Sequence, residues 1–157
     1  SLIKSRMSLN KFPNFYFDKY FEGKVIAQGH LIQNFPRKII KNLDVNFQGK
    51  VFKNRIIIKE DYKDGIKKEK RTWEFEKITK TKYVGIEENV IGNIDVKINK
   101  NLLKMRYIFR LIFKGKEIHV KIEDDMYLLN NREVINSTRV SKLGIKLAET
   151  FLLYKKI

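Results

Sequence analysis

Cysteine is absent from the 157 residues, and proline and glycine are scarce, with two and eight copies. The lack of cysteine excludes a disulfide framework, a cysteine-ligated zinc site and a thiol nucleophile within this sequence. The low proline and glycine content, together with 43% hydrophobic residues, excludes collagen-like and disordered classes. No apolar run approaches the roughly 20 residues that span a bilayer as a helix. The length therefore predicts a single domain with one core over residues 1–157.

Signatures of catalysis and of nucleotide binding are also missing. No serine lies in a G-x-S-x-G elbow, and the glycines match neither a P-loop nor a dinucleotide-binding pattern. The two histidines, His30 and His119, lie far apart, and His119 alternates with apolar neighbours, which predicts a solvent-facing side chain. We therefore expect no metal centre, no cofactor and no enzymatic activity.

Acidic residues are few relative to basic ones, since 34 Lys and Arg face 18 Asp and Glu and leave a net charge of +16. Such an excess attracts anions, so nucleic acid, anionic lipid and acidic ligands all remain open as partners. The basic residues are scattered along the whole chain rather than gathered in one arm, which weakens the case for nucleic acid. The abundance of Lys, Ile and Asn is also what an AT-rich genome encodes without any functional reason.

The clearest positive signal is an alternation of apolar and polar residues with a period of two. In Leu43, Val45 and Phe47 the apolar side chains alternate with polar ones, as in a half-buried strand, and the pattern returns repeatedly. We predict strands at 23–33, 37–48, 51–62, 67–78, 82–88, 92–99, 102–113, 116–129, 133–140 and 145–156.

Short turn signals separate these runs, for example Gln48-Gly49-Lys50 and Lys114-Gly115-Lys116. Short connections favour antiparallel neighbours, because a parallel crossover needs a dozen or more residues. We expect an all-β, antiparallel up-and-down barrel, since closure removes the exposed sheet edges; an opened sandwich is the alternative. The segment 1–15 is expected to be extended or helical, with at most a short helix before residue 22 and another near 141–144.

Side chains in phase with the apolar set of each strand should face the barrel interior. Asp124 continues the inward set of its strand and Arg71 that of another, and buried charges of this kind need partners. Two interpretations stay open for them, a structural ion pair and a polar site that orients a ligand, with Arg71 or Arg106 facing Asp124. The aromatic and apolar members of the candidate site are Trp73, Phe75, Tyr107, Phe109 and Met126, which could equally fill a core.

Seven segments, in this order and spread over most of the chain, resemble the bacterial family known as domain of unknown function 3833. They are Tyr20–Gly29, Arg71–Trp73, Asn89–Gly92, Met105–Tyr107, Asp124–Leu128, Val134–Asn136 and Ser141–Gly144. The region around Gly23 is also similar to the G-x-W signature of lipocalins, with Val25 in place of the tryptophan, and these resemblances imply a barrel of the lipocalin-like (calycin) type. Members of the resembling family look like exported lipoproteins. The resemblance thus implies a location in the bacterial envelope or periplasm, with anchoring through an N-terminal segment removed before residue 1.

These observations lead to one hypothesis and one alternative. The hypothesis is a non-enzymatic, envelope-associated barrel that binds or carries an apolar or lipid-like small molecule and that contacts an anionic membrane surface. The alternative is a basic β-domain that binds nucleic acid, in which Lys and Arg follow the phosphates and exposed aromatic residues stack on bases.

Overall fold

A computed structural model describes residues 12–157 of the chain. Within that range one short helix, α1 (Phe17–Phe21), precedes ten strands. The strands are β1 (Gly23–Gln33), β2 (Ile39–Phe52), β3 (Arg55–Asp64), β4 (Lys67–Thr79), β5 (Lys82–Ile86), β6 (Val90–Asn99), β7 (Leu102–Phe113), β8 (Lys116–Leu128), β9 (Glu133–Lys142) and β10 (Ile145–Lys156). Each strand pairs antiparallel with its neighbours in sequence, and β1 also pairs with β10, so the sheet closes.

The predicted architecture is confirmed: the chain folds as an antiparallel up-and-down barrel, with a short helix before residue 22. No helix forms near 141–144, because β9 continues to Lys142 and Leu143-Gly144 make a tight hairpin turn. The prediction for 1–15 falls mostly outside the described residues, and residues 12–16 have no regular secondary structure. In the described range no helix has the length and apolar character needed to cross a bilayer.

The turn predicted at Gln48-Gly49-Lys50 is wrong, because β2 runs straight through it and turns at Lys53-Asn54. Gly49 is there for a different reason. A Cβ at this position would lie 1.7 Å from the backbone oxygen of Phe21, so the glycine is needed where α1 ends against the sheet. The glycine therefore marks a close backbone approach within a strand.

Helix α1 closes one end of the barrel. Phe17 is fully buried and makes edge-to-face contacts with Phe75 and Tyr83, with ring centroids 4.9 and 5.0 Å apart. The backbone N–H of Phe15 donates to the carbonyl of Lys100 (2.8 Å), and Lys77 pairs with Asp18 at 3.0 Å. We call this end, with its turns at 53–54, 80–81, 100–101 and 129–132, the closed end.

The opposite end, which we call the mouth, carries five connections between strands. They lie at 34–38, 65–66, 87–89, 114–115 and 143–144. The buried core of aromatic and aliphatic side chains is concentrated towards the closed end, around Phe17, Phe75 and Tyr83. This uneven filling of the interior leaves space between the core and the mouth.

Candidate ligand-binding cavity

A cavity of about 640 Å³ occupies the interior between α1 and the mouth. Its floor is formed by Phe17 and Phe21 of α1, and its rim includes Phe35 and Phe113 at the mouth. The strands supply the wall because alternate side chains of each strand point inward. The volume lies within the range of pockets that hold small organic ligands, about 300–1,000 Å³.

One wall of the cavity is aromatic. Trp73 of β4 lies edge-on to Tyr107 of β7, with ring centroids 5.8 Å apart, and Tyr107 lies 6.1 Å from Phe109. Phe75 and Met126 also line the cavity and are buried. The structure thus brings together all five apolar members of the candidate site, in the inward orientation that their phase indicated. Their binding of a ligand remains a prediction.

Arg71 points into the same cavity and is held by two carboxylates. Its Nη1 lies 3.3 Å from an oxygen of Glu60 on β3, and its Nη2 bonds to Glu69 on its own strand. The guanidinium also lies over the ring of Phe109, 5.2 Å from the centroid. Burial alone would lower the pKa of Arg71, but the charges of Glu60 and Glu69 outweigh it and raise the pKa. Arg71 is therefore a permanent cation inside the barrel.

Glu60 is buried beside this arginine. Burial raises the pKa of its carboxyl group to about 7, although the charge of Arg71 and its hydrogen bond act in the opposite direction. Near neutral pH, Glu60 thus exchanges between a carboxylate and a carboxylic acid, which allows it either to accept or to donate a hydrogen bond.

Asp124 lines the cavity from β8 and takes its partners from β9. Asn136 Nδ2 and Thr138 Oγ1 both donate to Asp124 Oδ1, the latter at 3.1 Å. Burial raises the pKa of Asp124 to about 6, and these hydrogen bonds limit the increase. Asn136 is in turn fixed by the Tyr154 hydroxyl, which donates to its Oδ1 at 3.3 Å. Asp124 is therefore a pre-positioned acceptor.

The expected pairing of an arginine with the carboxylate of Asp124 is wrong, because both candidate arginines pair with other residues. Arg106 lies between the inward residues Met105 and Tyr107, so it projects from the outer surface, where its Nη1 pairs with Asp125 at 2.9 Å. Arg71, in turn, pairs with Glu60 and Glu69 rather than with Asp124. The alternation that identified Asp124 as inward already places Arg106 outward, and Arg106 is not part of the cavity.

Sequence reasoning missed several polar residues of the cavity, among them Glu60, Glu69, Asn136 and Thr138. The signal for Glu60 was present, because it continues the inward series Ile56, Ile58 of β3. The two β9 residues gave no such signal, since a short amide or hydroxyl side chain suits a strand on either face.

The remaining titratable candidates lie elsewhere. His119 is on the outer surface, as predicted, with Nε2 3.0 Å from Glu117. Among residues 12–157 no group of three or more His, Asp, Glu or Cys side chains is arranged to hold a metal ion.

Two solved structures share the fold of this chain. The S-type phycobiliprotein lyase CPES from Guillardia theta superimposes with a TM-score of 0.66 at 6% identity, covering 90% of both chains. Rv2717c from M. tuberculosis superimposes with a TM-score of 0.54 at 12% identity, covering 87% of this chain and 93% of that chain. At these identities the likeness concerns the lipocalin-like barrel alone. No curated protein matches the sequence significantly.

A family model matches residues 4–156, which is nearly the whole chain. Its description is "Protein of unknown function (DUF3833)". The motifs quoted from the sequence pointed to the same family. The chain therefore belongs to the DUF3833 family, whose fold in this member is a closed, calycin-like barrel with an internal cavity.

Proposed function

We propose that this barrel binds and carries a small amphipathic molecule, with the apolar part in the aromatic cavity and the polar part at the Glu60–Arg71–Asp124 cluster. The observation that carries the proposal is the combination of an open apolar volume of about 640 Å³ with buried, oriented polar groups in its wall. Such a pairing of apolar lining with a few fixed polar groups is typical of small-molecule sites.

The apolar part of the ligand provides the affinity. Each methylene moved from water into the cavity contributes about 0.8 kcal/mol, which is roughly a fourfold gain in affinity. Trp73, Tyr107 and Phe109 form the surface against which such a chain packs. Affinity should therefore rise with chain length until the space between α1 and the mouth is filled.

The polar part of the ligand determines the selectivity. Arg71 is already neutralised by Glu60 and Glu69, and both donors on Asp124 converge on Oδ1, leaving its second oxygen for a ligand. An additional carboxylate would lie close to Glu60 and Asp124 and would be repelled. A hydroxyl or an amine can instead donate to these oxygens, so the proposed ligand has a neutral or cationic head.

The net charge of the protein makes a preference for an amine over a carboxylate a strict test of the proposed head-group site. A charge of +16 attracts fatty carboxylates and repels alkylamines at long range. A preference for the amine can therefore arise only from the local arrangement inside the cavity. Moderate salt screens the long-range contribution, whereas contacts in a buried site are screened much less.

Displacement of a neutral hydrophobic dye tests the proposal. N-phenyl-1-naphthylamine, which fluoresces in apolar surroundings, is bound first and then displaced by dodecanol, dodecylamine or dodecanoate below their aggregation concentrations. We expect the alcohol and the amine to displace the dye at least about tenfold more effectively than the carboxylate, a difference of about 1.4 kcal/mol. Equal or stronger displacement by dodecanoate would contradict the proposed head group, and failure of the dye to bind would contradict the carrier function.

Adjacent aspartates offer a matched pair of variants. Asp124→Asn removes the inward carboxylate, whereas Asp125→Asn removes the outward one that pairs with Arg106. Both change the net charge equally. Dodecylamine should bind the Asp124 variant about tenfold more weakly and the Asp125 variant normally. Equal effects of the two substitutions would show that the carboxylate acts through the overall charge.

The proposal includes a location at a membrane surface of the cell envelope. The sequence resemblance to exported lipoproteins and the net charge of +16 support it, because anionic lipid attracts basic proteins. Fractionation of cells that produce the full-length protein tests the location. Recovery in the envelope fraction is expected, and recovery in the cytosol would contradict it.

A further inference from the structure

We propose that the barrel docks mouth-first on an anionic lipid bilayer, through three apolar side chains at the tips of its mouth loops. These residues, Phe35, Ile66 and Leu143, are called the mouth tips below. The inference rests on the proposed function, because the mouth is also the opening through which the cavity exchanges its ligand.

The mouth tips are unusually exposed for large apolar residues. Ile66 and Leu143 are 101% and 93% accessible, and Phe35 is 57% accessible. Ile66 and Leu143 gain almost no burial from folding, so they do not stabilise the barrel, and more than half of Phe35 stays exposed beside Phe113. Exposed apolar side chains that lie together at one end of a molecule are typical of a contact surface.

Leu143 occupies a position that disfavours leucine. It has a φ of 51° in the tight turn with Gly144, a conformation that suits glycine or asparagine. The corresponding positive-φ positions in the turns at Lys53, Lys100 and Lys114 hold lysine. A β-hairpin of this kind does not require leucine at this position. The leucine side chain therefore fits a role other than stabilising the fold.

The topology places the three tips side by side. The 34–38 loop joins β1 and β2, the 65–66 turn joins β3 and β4, and the 143–144 turn joins β9 and β10. In the closed barrel, β2 pairs with β3 and β1 pairs with β10. The three connections are therefore consecutive around the rim, and the tips form one arc.

Exposed cations accompany every tip. Arg37 and Lys38 follow Phe35, Lys67 and Lys68 follow Ile66, and Lys142 precedes Leu143. A lysine or arginine close to an anionic membrane contributes about 1 kcal/mol of attraction. Apolar side chains that enter the interface between flanking cations are the arrangement of an interfacial membrane anchor.

Among the five mouth connections, only the 87–89 loop, which is not part of this arc, carries acidic residues. The 87–89 loop carries Glu87, which is buried, and Glu88, which is exposed. This loop joins β5 and β6, so it neighbours the 65–66 turn on one side and lies across the rim from the β1–β2 and β9–β10 connections. The charge pattern therefore favours a tilted docking in which the arc faces the bilayer and the acidic loop faces water.

The closed end lacks this arrangement at its turns. Its turns place Lys53-Asn54, Lys80-Thr81, Lys100-Asn101 and Asn130-Asn131 at their tips, and its exposed apolar residues, among them Phe52 and Ile78, lie outside those turns. Lysine is abundant at both ends, so charge alone would bring either end to the membrane. The apolar mouth tips are what select the orientation.

The test uses flotation with vesicles of phosphatidylcholine and phosphatidylglycerol. The mouth variant carries Ile66→Ser and Leu143→Asn, the last of which suits the turn, and it keeps Phe35 because that residue also lines the cavity rim. The control variant carries Phe52→Ser and Ile78→Ser at the closed end, where the side chains are 56% and 51% accessible. Both variants keep the wild-type net charge.

We expect the mouth variant to partition onto these vesicles at least about tenfold more weakly than wild type, and the control variant to partition like wild type. Equal loss in both variants, or no loss in either, would overturn the proposal, as would wild-type protein that does not float with the vesicles. Light scattering in the absence of lipid tests whether the mouth tips bind a second copy of the chain instead. If wild type forms dimers that the mouth variant abolishes, the tips are assigned to self-association and docking on a bilayer is overturned.

Dye binding in the absence of vesicles separates this inference from the proposed function. The mouth variant should bind N-phenyl-1-naphthylamine like wild type, because the cavity wall is unchanged. Dye binding with mouth-dependent flotation supports both proposals. A wild-type protein that floats but binds no dye would refute the carrier function and leave the docking surface supported.

Discussion

Arg71 is the residue whose removal should cost the barrel most, and Arg71→Met tests this. Methionine retains much of the apolar stem that lies over Phe109 but removes the cation. The side chains of Arg71 and Glu60 are only 18% and 12% accessible, so the substitution leaves Glu60 as an uncompensated buried carboxylate. Breaking a buried pair in this way costs about 3–5 kcal/mol.

The loss should depend strongly on pH. Because burial raises the pKa of Glu60 to about 7, the group is ionised at pH 8 and protonated at pH 5. Loss of Arg71 raises that pKa further, so at pH 8 the variant must either bury the charge or take up a proton, whereas at pH 5 it lacks only a neutral hydrogen bond, worth about 1 kcal/mol. Glu69 changes the result little, since it is more accessible to water.

Urea unfolding at the two pH values measures this difference. Glu60→Gln combined with Arg71→Met removes both charges, and the double variant should regain most of the stability lost at pH 8. A loss below about 1 kcal/mol at pH 8, or an equal loss at pH 5 and pH 8, would refute the interpretation of this pair as a buried, interdependent unit.

Three further predictions concern helix α1 at the closed end, the titration of the interior carboxyl groups and the tryptophan. Phe17→Ala should destabilise the barrel by about 3–5 kcal/mol in urea unfolding, because it removes the ring that packs α1 against the core; a loss below about 1 kcal/mol would contradict the closure of this end by α1. The raised pKa values of Glu60 and Asp124 mean that the folded chain binds protons more tightly than the unfolded chain. The stability that these two groups contribute is therefore complete below about pH 4 and is lost as pH rises through 6 to 7. If the free energy of unfolding depended on pH in the same way in Glu60→Gln as in wild type, this prediction would be contradicted. Trp73, the only tryptophan, should change its emission when N-phenyl-1-naphthylamine binds, and Trp73→Phe should remove that change but keep dye binding; unchanged emission at saturation would place the dye elsewhere.

The strands could be predicted because burial on one face leaves a period of two in the sequence. β7 shows this most clearly, since Met105, Tyr107 and Phe109 all line the cavity. The same rule correctly placed Asp124 and Arg71 inside. It fails where one residue type serves two purposes: Gly49 suggested a turn, but it permits close contact between β2 and the carbonyl of Phe21.

The partners of the buried charges could not be predicted, because they depend on strand register. Asp124 lies opposite Thr138 in the β8–β9 pair, and Glu60 lies opposite Arg71 in the β3–β4 pair. A shift of one residue in either hairpin would create different pairs. The turn between β3 and β4 fixes which carboxylate meets the arginine, and this turn cannot be positioned from composition. By contrast, the place of Arg106 in the cavity could have been rejected from the sequence, because Arg106 alternates with the inward residues Met105 and Tyr107.

The measurement that tests the central claim most directly is dye titration of a barrel whose cavity has been filled. Thr150 lines the cavity, whereas the next residue, Phe151, is on the outer surface, so Thr150→Trp and Phe151→Trp introduce the same side chain on opposite faces of β10. With dye emission excited directly, wild type and Phe151→Trp should each bind one molecule of N-phenyl-1-naphthylamine saturably, and Thr150→Trp should bind it at least about tenfold more weakly. Equal binding by all three folded proteins would contradict a ligand site inside the barrel.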